Sequence, residues 1–429
     1  MNSHILQLIL IAFLIFVSFA CVSLVHGQNC DVPGMPPCAR KSVTPRRNYV
    51  PPKTVKPNKS QKPRIKVRRP DPDLADKRAK RSSTGVDPRA VAPLRLCSDL
   101  NGFGKYELAV KNCSSAIAID ADIAEAHYQR GFANARLNRP DQAMADFSEA
   151  IRLDPEHVEA LNARGSIHYR NEKYELAVAD FTRSAEAEPY FDIVFRNIGA
   201  AYLAISKFEE AIPNYSNALE INPKYYQALV GRGIAHFKLK DYDEAIADCN
   251  AALAINPTDS DAKKWLAEAN KRKQEYADAI EKATQKIEAD PLNADRHRDR
   301  AQIHNGQERY DEAIADYTKA IELSPRFMHA YYNRGNAYLA ADNLDLAITD
   351  YTKVIELDPT YSLAYLMRGR AYTEKNEVDN ALADLDRYIA DKPKDPEGYR
   401  HRAEARQSKG LAELAEADRQ RVLELLKSK

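Results

Sequence analysis

The chain has little of the material from which catalytic pockets are built. It contains only 15 glycines in 429 residues, and it has no glycine-rich phosphate loop, no Gly-x-Ser-x-Gly elbow and no His-Glu-x-x-His motif. No Cys-x-x-Cys occurs among its six cysteines and no two histidines lie four residues apart, which argues against zinc. The sequence therefore predicts no catalytic residue, no metal site and no cofactor.

Residues 1–27 lack Lys, Arg, Asp and Glu altogether, and residues 5–25 form an almost unbroken apolar run. This pattern is typical of a signal peptide or a signal anchor. Val25-His26-Gly27 fits a cleavage site, but the run is longer than the usual signal core of about 7 to 15 residues, so cleavage and retention stay open. We expect a protein that is exported, periplasmic or secreted, or that is anchored in a membrane.

Residues 28–89 are basic and rich in proline. They hold 17 Lys and Arg against five Asp, with 11 prolines, and such a segment cannot bury enough apolar surface to fold. We expect a disordered linker that either contacts an anionic membrane or polymer or serves as a spacer; charge alone predicts no specific nucleic acid. The whole chain has a net charge of +1 and residues 1–27 carry none, so the linker's +12 leaves −11 for residues 90–429.

A proline recurs every 34 residues through most of the chain, each time after a stretch with helical character. The eight prolines are Pro155, Pro189, Pro223, Pro257, Pro291, Pro325, Pro359 and Pro393. Proline lacks the N–H group that a helix interior needs and biases the preceding residue away from helical angles. The spacing therefore predicts one helical unit repeated in tandem.

Within this unit, small and bulky residues alternate at fixed positions. Counting from Ala124, position 8 is mostly glycine, position 20 is alanine and position 24 is mostly a bulky side chain such as Phe147 or Tyr351. Small residues allow two helices to cross closely, and the bulky residue fills the space between units. The pattern resembles the tetratricopeptide repeat (TPR) family, and residues 329–359 match it closely.

The resemblance implies an all-helical, right-handed superhelical solenoid of helix-turn-helix hairpins that follows the signal or anchor and the linker. Extending the phase gives ten 34-residue units. They are 90–123 (degenerate), 124–157, 158–191, 192–225, 226–259, 260–293 (degenerate), 294–327, 328–361, 362–395 and 396–429 (capping).

The unit 260–293 departs from the pattern. Alanine occupies positions 8 and 24 (Ala267 and Ala283), and lysines surround Trp265, the only tryptophan of the chain. We expect a degenerate hairpin that still stacks; the alternative is a joint between an N-terminal and a C-terminal block. In either case Trp265 falls on the helix face that lines the inner groove in this family, where it is a candidate binding anchor.

Two cysteine pairs are candidates for disulfide bonds in an oxidising compartment. Cys97 and Cys113 occupy positions 8 and 24 of the opening unit, which lie on facing helices of a hairpin, and Cys30 and Cys38 bracket a loop after the signal. The alternative for Cys97 and Cys113 is a pair of buried thiols. We expect Cys249 to be an unpaired core residue.

Two polar regularities are interpreted as structural. Arginine at position 7 and aspartate at position 23 are present together in seven units and absent together in the units of Ile198 and Leu266, which indicates ion pairs within hairpins. His168, His236 and His304 recur at position 11 where other units carry tyrosine, so we expect core residues rather than metal ligands.

The array is thus predicted to be a non-catalytic scaffold that binds a peptide segment of a partner protein in its groove. The candidate groove residues are Tyr128, Phe132, Tyr169, Trp265, Arg298, Tyr332, Asn333 and Asn336. The alternative is a tethering protein that acts on an envelope or membrane surface through its basic linker, with the array as spacer or self-association surface. Neither the partner nor the oligomeric state follows from the sequence.

Overall fold

The computed structural model describes residues 85–427, which are helical and contain no strand. The predicted signal, most of the linker, Cys30 and Cys38 lie outside these residues. We number the 19 helices α1 Pro88–Gly102, α2 Tyr106–Ile119, α3 Ala124–Arg136, α4 Pro140–Leu153, α5 Val158–Arg170, α6 Tyr174–Ala187, α7 Asp192–Ala204, α8 Phe208–Ile221, α9 Tyr226–Lys238, α10 Tyr242–Ile255, α11 Ser260–Ala289, α12 Ala294–Gly306, α13 Tyr310–Leu323, α14 Met328–Ala340, α15 Leu344–Leu357, α16 Ser362–Glu374, α17 Val378–Asp391, α18 Pro396–Ser408 and α19 Ala412–Lys427. Between residues 85 and 427, no helix combines the length and the hydropathy that a membrane span requires.

The helices form antiparallel hairpins whose turns share one backbone feature. In nine turns of the described residues, the residue at position 15 of the unit has a positive φ, between 58° and 78°. This left-handed conformation ends the first helix of each hairpin. Two of these residues are glycines, Gly104 and Gly410, and the other seven bear side chains although the conformation costs them roughly 1–2 kcal/mol each.

Five hairpins close tightly because a glycine at position 8 faces a large side chain at position 24. A Cβ atom added to Gly131 would lie 2.8 Å from the ring of Phe147, and one added to Gly335 would lie 2.8 Å from the ring of Tyr351. A Cβ atom at these glycines would collide with the ring, so in these hairpins glycine at position 8 and the large residue at position 24 pack as one unit, whereas Ala301 packs with Tyr317 in unit 294–327. The rings are almost fully buried.

Neighbouring hairpins stack through a second set of fixed positions. The residue at position 24 lies in one hydrophobic cluster with position 10 of the next unit, as Phe147 does with Ile167 and Tyr351 with Ala371. Position 27 pairs with position 3 of the next unit in the same way, for example Ala320 with Ala330. The core is therefore a series of hydrophobic clusters along the array, each joining neighbouring units.

The unit 260–293 is not a hairpin, so our prediction of a helix-turn-helix unit is wrong there. Ser260–Ala289 is one continuous helix of 30 residues, α11, and it has no turn at Gln274. A hairpin would bury Lys286, because position 27 is buried in eight of the other units, and burying an unpaired ammonium group is costly. Leu266 and Lys282 also cannot form the ion pair of the other hairpins. The alternative expectation, a joint between two blocks, agrees with α11.

The helix α11 therefore lies between two blocks of hairpins and forms the last element of one and the first packing surface of the other. The first half of α11 packs on α9 and α10 through Ala262, and its second half contacts α12 through Tyr276 and Thr284. We call α1–α10 the N-terminal block and α12–α19 the C-terminal block. The exposed face of α11 carries Lys263, Lys271 and Lys282, and a polar outer face of this kind is what a terminal repeat needs for solubility.

The opening hairpin is held by a disulfide bond. Cys97 on α1 and Cys113 on α2 are bonded, with 5.3 Å between their Cα atoms and a sequence separation of 16, and both are fully buried. The first helix begins at Pro88, two residues before the boundary that we drew at residue 90. Cys249 is a free, buried thiol.

Candidate functional site

The predicted groove residues belong to one face of the first helix of each hairpin, made by positions 2, 5, 6, 9, 12 and 13, which we call the first-helix face. Because α11 replaces a hairpin, this face is divided between the blocks. Tyr128, Phe132 and Tyr169 lie in the N-terminal block and Trp265 on the adjoining half of α11. Arg298, Tyr332, Asn333 and Asn336 lie in the C-terminal block.

At the start of the array, Tyr128 packs into a cluster of side chains. Its ring centroid lies 5.0 Å from that of His157, 6.0 Å from Phe147 and 6.5 Å from Phe132. Burial, together with the nearby carboxylates of Glu159 and Glu125, raises the pKa of Tyr128 to about 12. Tyr128 therefore contributes mainly to packing.

His157 links two neighbouring units through ion pairs with a glutamate of each. Burial alone would lower its pKa, but hydrogen bonds to Glu125 and Glu159, each 3.3 Å away, outweigh burial and raise the pKa to about 9. Its Nδ1 atom is also 3.4 Å from the backbone nitrogen of Ala160 at the start of α5. A protonated ring donates to Glu159 and cannot accept from Ala160, and the raised pKa favours the protonated form.

In the C-terminal block, several candidate residues already have partners within the protein. The Tyr351 hydroxyl donates to Asn336 Oδ1 at 2.8 Å, and Tyr332 packs against the rings of Tyr351 and Tyr361. Arg298 pairs with Asp295 at 2.6 Å and with Asp299 at 2.7 Å. Asn333 is half-buried. A ligand at Asn336 or Arg298 would have to compete with these internal contacts.

Trp265 lies at the end of the first-helix face of the N-terminal block, in a cluster of aromatic and cationic side chains. Its ring lies 4.9 Å from that of Phe237, centroid to centroid. The ammonium groups of Lys238 and Lys264 lie 5.2 and 5.3 Å from the Trp265 ring, within the range of cation–π attraction. Among residues 85–427, neither lysine has a carboxylate as an ion-pair partner. The cluster offers a flat ring flanked by two positive charges.

The sequence analysis missed Arg196, which lies at position 5 in the middle of the same face. Its Nη1 donates to Asn197 Oδ1 at 2.8 Å, and Asn197 Nδ2 donates to Asn162 Oδ1 at 3.0 Å. Arg196 is half-buried, forms no ion pair with a described residue, and its buried Nε atom has no hydrogen-bond partner there. The signal was present in the sequence: this unit has Ile198 at position 7, where seven units have a paired arginine.

The arginines at position 7 are structural, as predicted. Seven Arg–Asp pairs join positions 7 and 23 at 2.7–2.8 Å, for example Arg232 with Asp248. In six of them the guanidinium also reaches a serine or threonine at position 25 of the preceding unit, as Arg334 reaches Thr318 Oγ1 at 2.9 Å. This hydroxyl contact between units was not foreseen.

The three spaced histidines do not meet. His168 and His304 lie 3.8 and 3.9 Å from the aspartates of their own hairpins, and burial lowers the pKa of each. His236 lies 3.6 Å from Asp241. Within residues 85–427, no group of three His, Cys, Asp or Glu side chains is arranged to hold a metal ion.

A repeating helical hairpin with glycine at position 8, alanine at position 20 and a ring at position 24 defines a helical repeat protein. Sequence profiles of the tetratricopeptide repeat match residues 128–190, 197–260, 329–361 and 350–383, and a TPR repeat profile matches residues 301–342. The chain belongs to the tetratricopeptide repeat family. The matched ranges omit residues 261–300, which contain most of α11. Arrays of this family are typically non-catalytic scaffolds for protein–protein interaction.

Three solved structures that resemble the chain each align with less than half of it. MamA 41-end from Desulfovibrio magneticus RS-1 is 19% identical, covers 41% of this chain and 99% of its own, and has a TM-score of 0.38. The Arabidopsis OM64 TPR domain is 27% identical over 27% of this chain and 97% of its own, with a TM-score of 0.27. The first TPR of Spaghetti (RPAP3), bound to HSP90 peptide SRMEEVD, is 27% identical over 28% of this chain and 94% of its own, with a TM-score of 0.27. A search of curated proteins gave no match.

Proposed function

We propose that this protein is a non-catalytic scaffold that binds an extended segment of a partner protein along the first-helix face of its N-terminal block. A carboxylate of the segment pairs with Arg196. The observation that carries this proposal is the half-buried guanidinium of Arg196, which has no carboxylate partner among the described residues.

An unpaired, partly desolvated cation favours an anionic ligand. Hydrogen bonds to charged groups contribute about 1.5–3 kcal/mol each, and a carboxylate can take two N–H groups of one guanidinium at once. Asn197 and Asn162 hold the side chain in place through the hydrogen bonds described above, so little rotamer entropy is lost on binding. The site therefore selects for an acidic residue or a chain terminus of the segment.

Beyond Arg196, the face offers contacts for the rest of a segment. On α9, one unit further along, Ile234 is half-buried and lies one helical turn from the buried Val230, so Ile234 is the residue that can contact a segment. The Trp265 ring then provides an aromatic anchor, with Lys238 and Lys264 as a second cationic contact. Aromatic and arginine anchors contribute most of the energy in many interfaces. We infer a segment with apolar residues between acidic ones.

The proposal is tested with Arg196→Met on an array of random peptides. We expect the wild-type chain to select peptides enriched in Asp and Glu, and Arg196→Met to bind them about 10- to 100-fold more weakly. Arg196→Lys keeps the charge but loses the bidentate geometry, so its affinity should be intermediate. Arg152→Met removes an exposed arginine on the second helix α4 of the same block, away from the first-helix face, and is the matched control. Equal binding by Arg196→Met and Arg152→Met would refute the role of Arg196.

Residues 28–89 support a separate proposal, that the array is exported or membrane-anchored and that its basic segment contacts an anionic surface. The support is the excess of 17 Lys and Arg over five Asp in this segment and the uncharged, apolar run before it. The test is co-sedimentation of the full chain with vesicles that contain phosphatidylserine. Deletion of residues 28–84 should abolish this binding and leave peptide selection intact.

A further inference from the structure

The two ends of the described array differ from every internal interface between units. Inside the array, position 24 of one unit meets position 10 of the next through apolar side chains, such as Phe147 with Ile167 and Leu385 with Ala405. Position 28 joins the same interfaces, as Ile321 does with Ala330 at position 3 of the next unit. A hairpin that stacks on a neighbour inside the array therefore presents apolar side chains at these positions.

The outer face of α1 presents an acidic residue at position 10. Asp99 is exposed there, whereas position 10 is alanine or isoleucine in the other nine units. Ala92 at position 3 is exposed, and Val91 and Leu96 are each 48% exposed. Asp99 and these apolar residues line one surface cavity on α1. Arg95 lines the same cavity, so this face carries one charge of each sign, and Asp99 is the charge at position 10.

The outer face of α19 presents a basic residue at position 24. Arg419 is 49% exposed there, whereas no other unit has a charged residue at position 24. Leu423 at position 28 is 48% exposed and Leu426 is 49% exposed. The ion pair of Arg419 with Glu416, at 3.4 Å, lies at the surface, and such pairs contribute little. The predicted capping helix is therefore charge-rich but not purely polar on its outside.

We propose that α19 of one copy packs on α1 of a second copy in the register of an internal unit interface. In this register Arg419 faces Asp99 of the second copy, and Leu423 covers Ala92. Inside the array, positions 24 and 10 meet through apolar side chains. Only the contact between two copies would place opposite charges at these two positions. Opposite charges at a mostly apolar contact favour the correct partner and register over others. Because the two faces differ, the contact is head-to-tail and produces open chains or closed rings.

The charge pair gives a swap experiment on the full chain. Sedimentation velocity of the wild-type protein should show a mass that rises with concentration. Asp99→Arg and Arg419→Asp should each weaken association about tenfold or more, because two like charges then face each other. The double variant, which combines both substitutions and so exchanges the two charges, should recover association, and so should a mixture of the two single variants.

Thermal unfolding by circular dichroism verifies that the single variants remain folded; both sites are exposed, so we expect unchanged helicity. Glu413→Arg, an exposed change on the same terminal helix, is the control for net charge. A wild-type chain that stays monomeric at all concentrations would overturn the proposal. Equal association of the wild type, the two single variants and the double variant would also overturn it, because another surface would then be responsible. Peptide selection through Arg196 is a separate readout and is unaffected by either outcome.

Discussion

Lys240 donates a hydrogen bond to the backbone carbonyl of Gly306 at 2.8 Å and pairs with Glu308 at 3.0 Å, although 66 residues separate Lys240 from Gly306. Lys240 and Glu308 are the left-handed residues of two hairpin turns, one in each block. In an unbroken solenoid the turn of unit 260–293 would lie between them. Their contact therefore follows from the replacement of that hairpin by α11.

Restoring the hairpin residues should fold α11 back on itself. We expect this of the combined change Leu266→Arg, Lys282→Asp, Ala283→Tyr and Lys286→Ala, which supplies the ion pair and the ring and removes the ammonium group that a hairpin would bury. Nitroxide labels at Lys263→Cys and Gln285→Cys should be about 30 Å apart in the straight helix, at 1.5 Å per residue. In the restored hairpin the distance should fall to about half that value or less. Identical distances in both proteins would contradict our explanation of α11.

The sequence could not reveal this helix at the turn itself. Gln274 occupies the turn position where Glu172 and Lys240 adopt the left-handed conformation, and nothing in a glutamine forbids it. The difference lies in contacts that only the folded hairpin would make, above all the burial of Lys286. Repeat phase predicted the other hairpins because a fixed spacing reports the same packing in every copy. Repeat phase could not show that the unit 260–293 does not pack as a hairpin.

Removing one partner of a buried ion pair should destabilise the array strongly. Asp350 is 3% exposed and Arg334 15% exposed, so Asp350→Ala leaves a buried guanidinium without its partner at a cost of about 3–5 kcal/mol. Replacing both residues by leucine should cost less than Asp350→Ala alone. Urea unfolding measures the difference.

The exposed pair of Lys353 with Glu356, on the same helix, provides the control. Lys353→Ala should change the free energy of unfolding little, because ion pairs at the surface contribute little to stability. If Asp350→Ala costs no more than Lys353→Ala, the position 7 to position 23 pairs do not hold the hairpins together.

His157 should make the array more stable at neutral than at alkaline pH. A folded-state pKa of about 9, above the unfolded value of 6.5, means that the contribution is fully present below about pH 6.5 and is lost as the pH rises through 9. The contribution is at most about 3 kcal/mol, because each pKa unit corresponds to 1.36 kcal/mol. His157→Gln should lose stability at pH 6 and little at pH 10 relative to wild type, in urea unfolding at each pH. An equal loss at both pH values would indicate a packing role instead.

The disulfide bond should stabilise the opening hairpin. Closing a loop of about 15 residues contributes roughly 3 kcal/mol in the chain-entropy description. We expect dithiothreitol to increase hydrogen exchange in α1 and α2 and to leave α14 and α15 unchanged. The variant Cys97→Ser with Cys113→Ser should behave like the reduced wild type and should not respond to dithiothreitol. Equal exchange with and without the reductant would show that the hairpin does not depend on the bond.

The candidate binding face was only partly predictable. Periodicity assigned Tyr128, Phe132 and Trp265 to the first-helix face, because position within a repeat determines the face of a helix. Periodicity could not show that Asn336 accepts a hydrogen bond from Tyr351, or that Arg298 forms ion pairs with two carboxylates of the protein. Such pairing depends on rotamers and on neighbouring turns. Arg196 was missed because Ile198 at position 7 shows only that the usual ion pair is absent from this unit, and whether Arg196 itself has a partner depends on its neighbours in the fold.

The measurement that tests the central claim most directly is hydrogen exchange by mass spectrometry on the full chain, with and without an acidic peptide selected on the random array. We predict that the peptide slows exchange in α7, α9 and the first half of α11, where Arg196, Val230 and Trp265 lie, and that Arg196→Met removes this protection. Protection confined to α14 and α16 in the C-terminal block, or protection that persists in Arg196→Met, would contradict the proposed site.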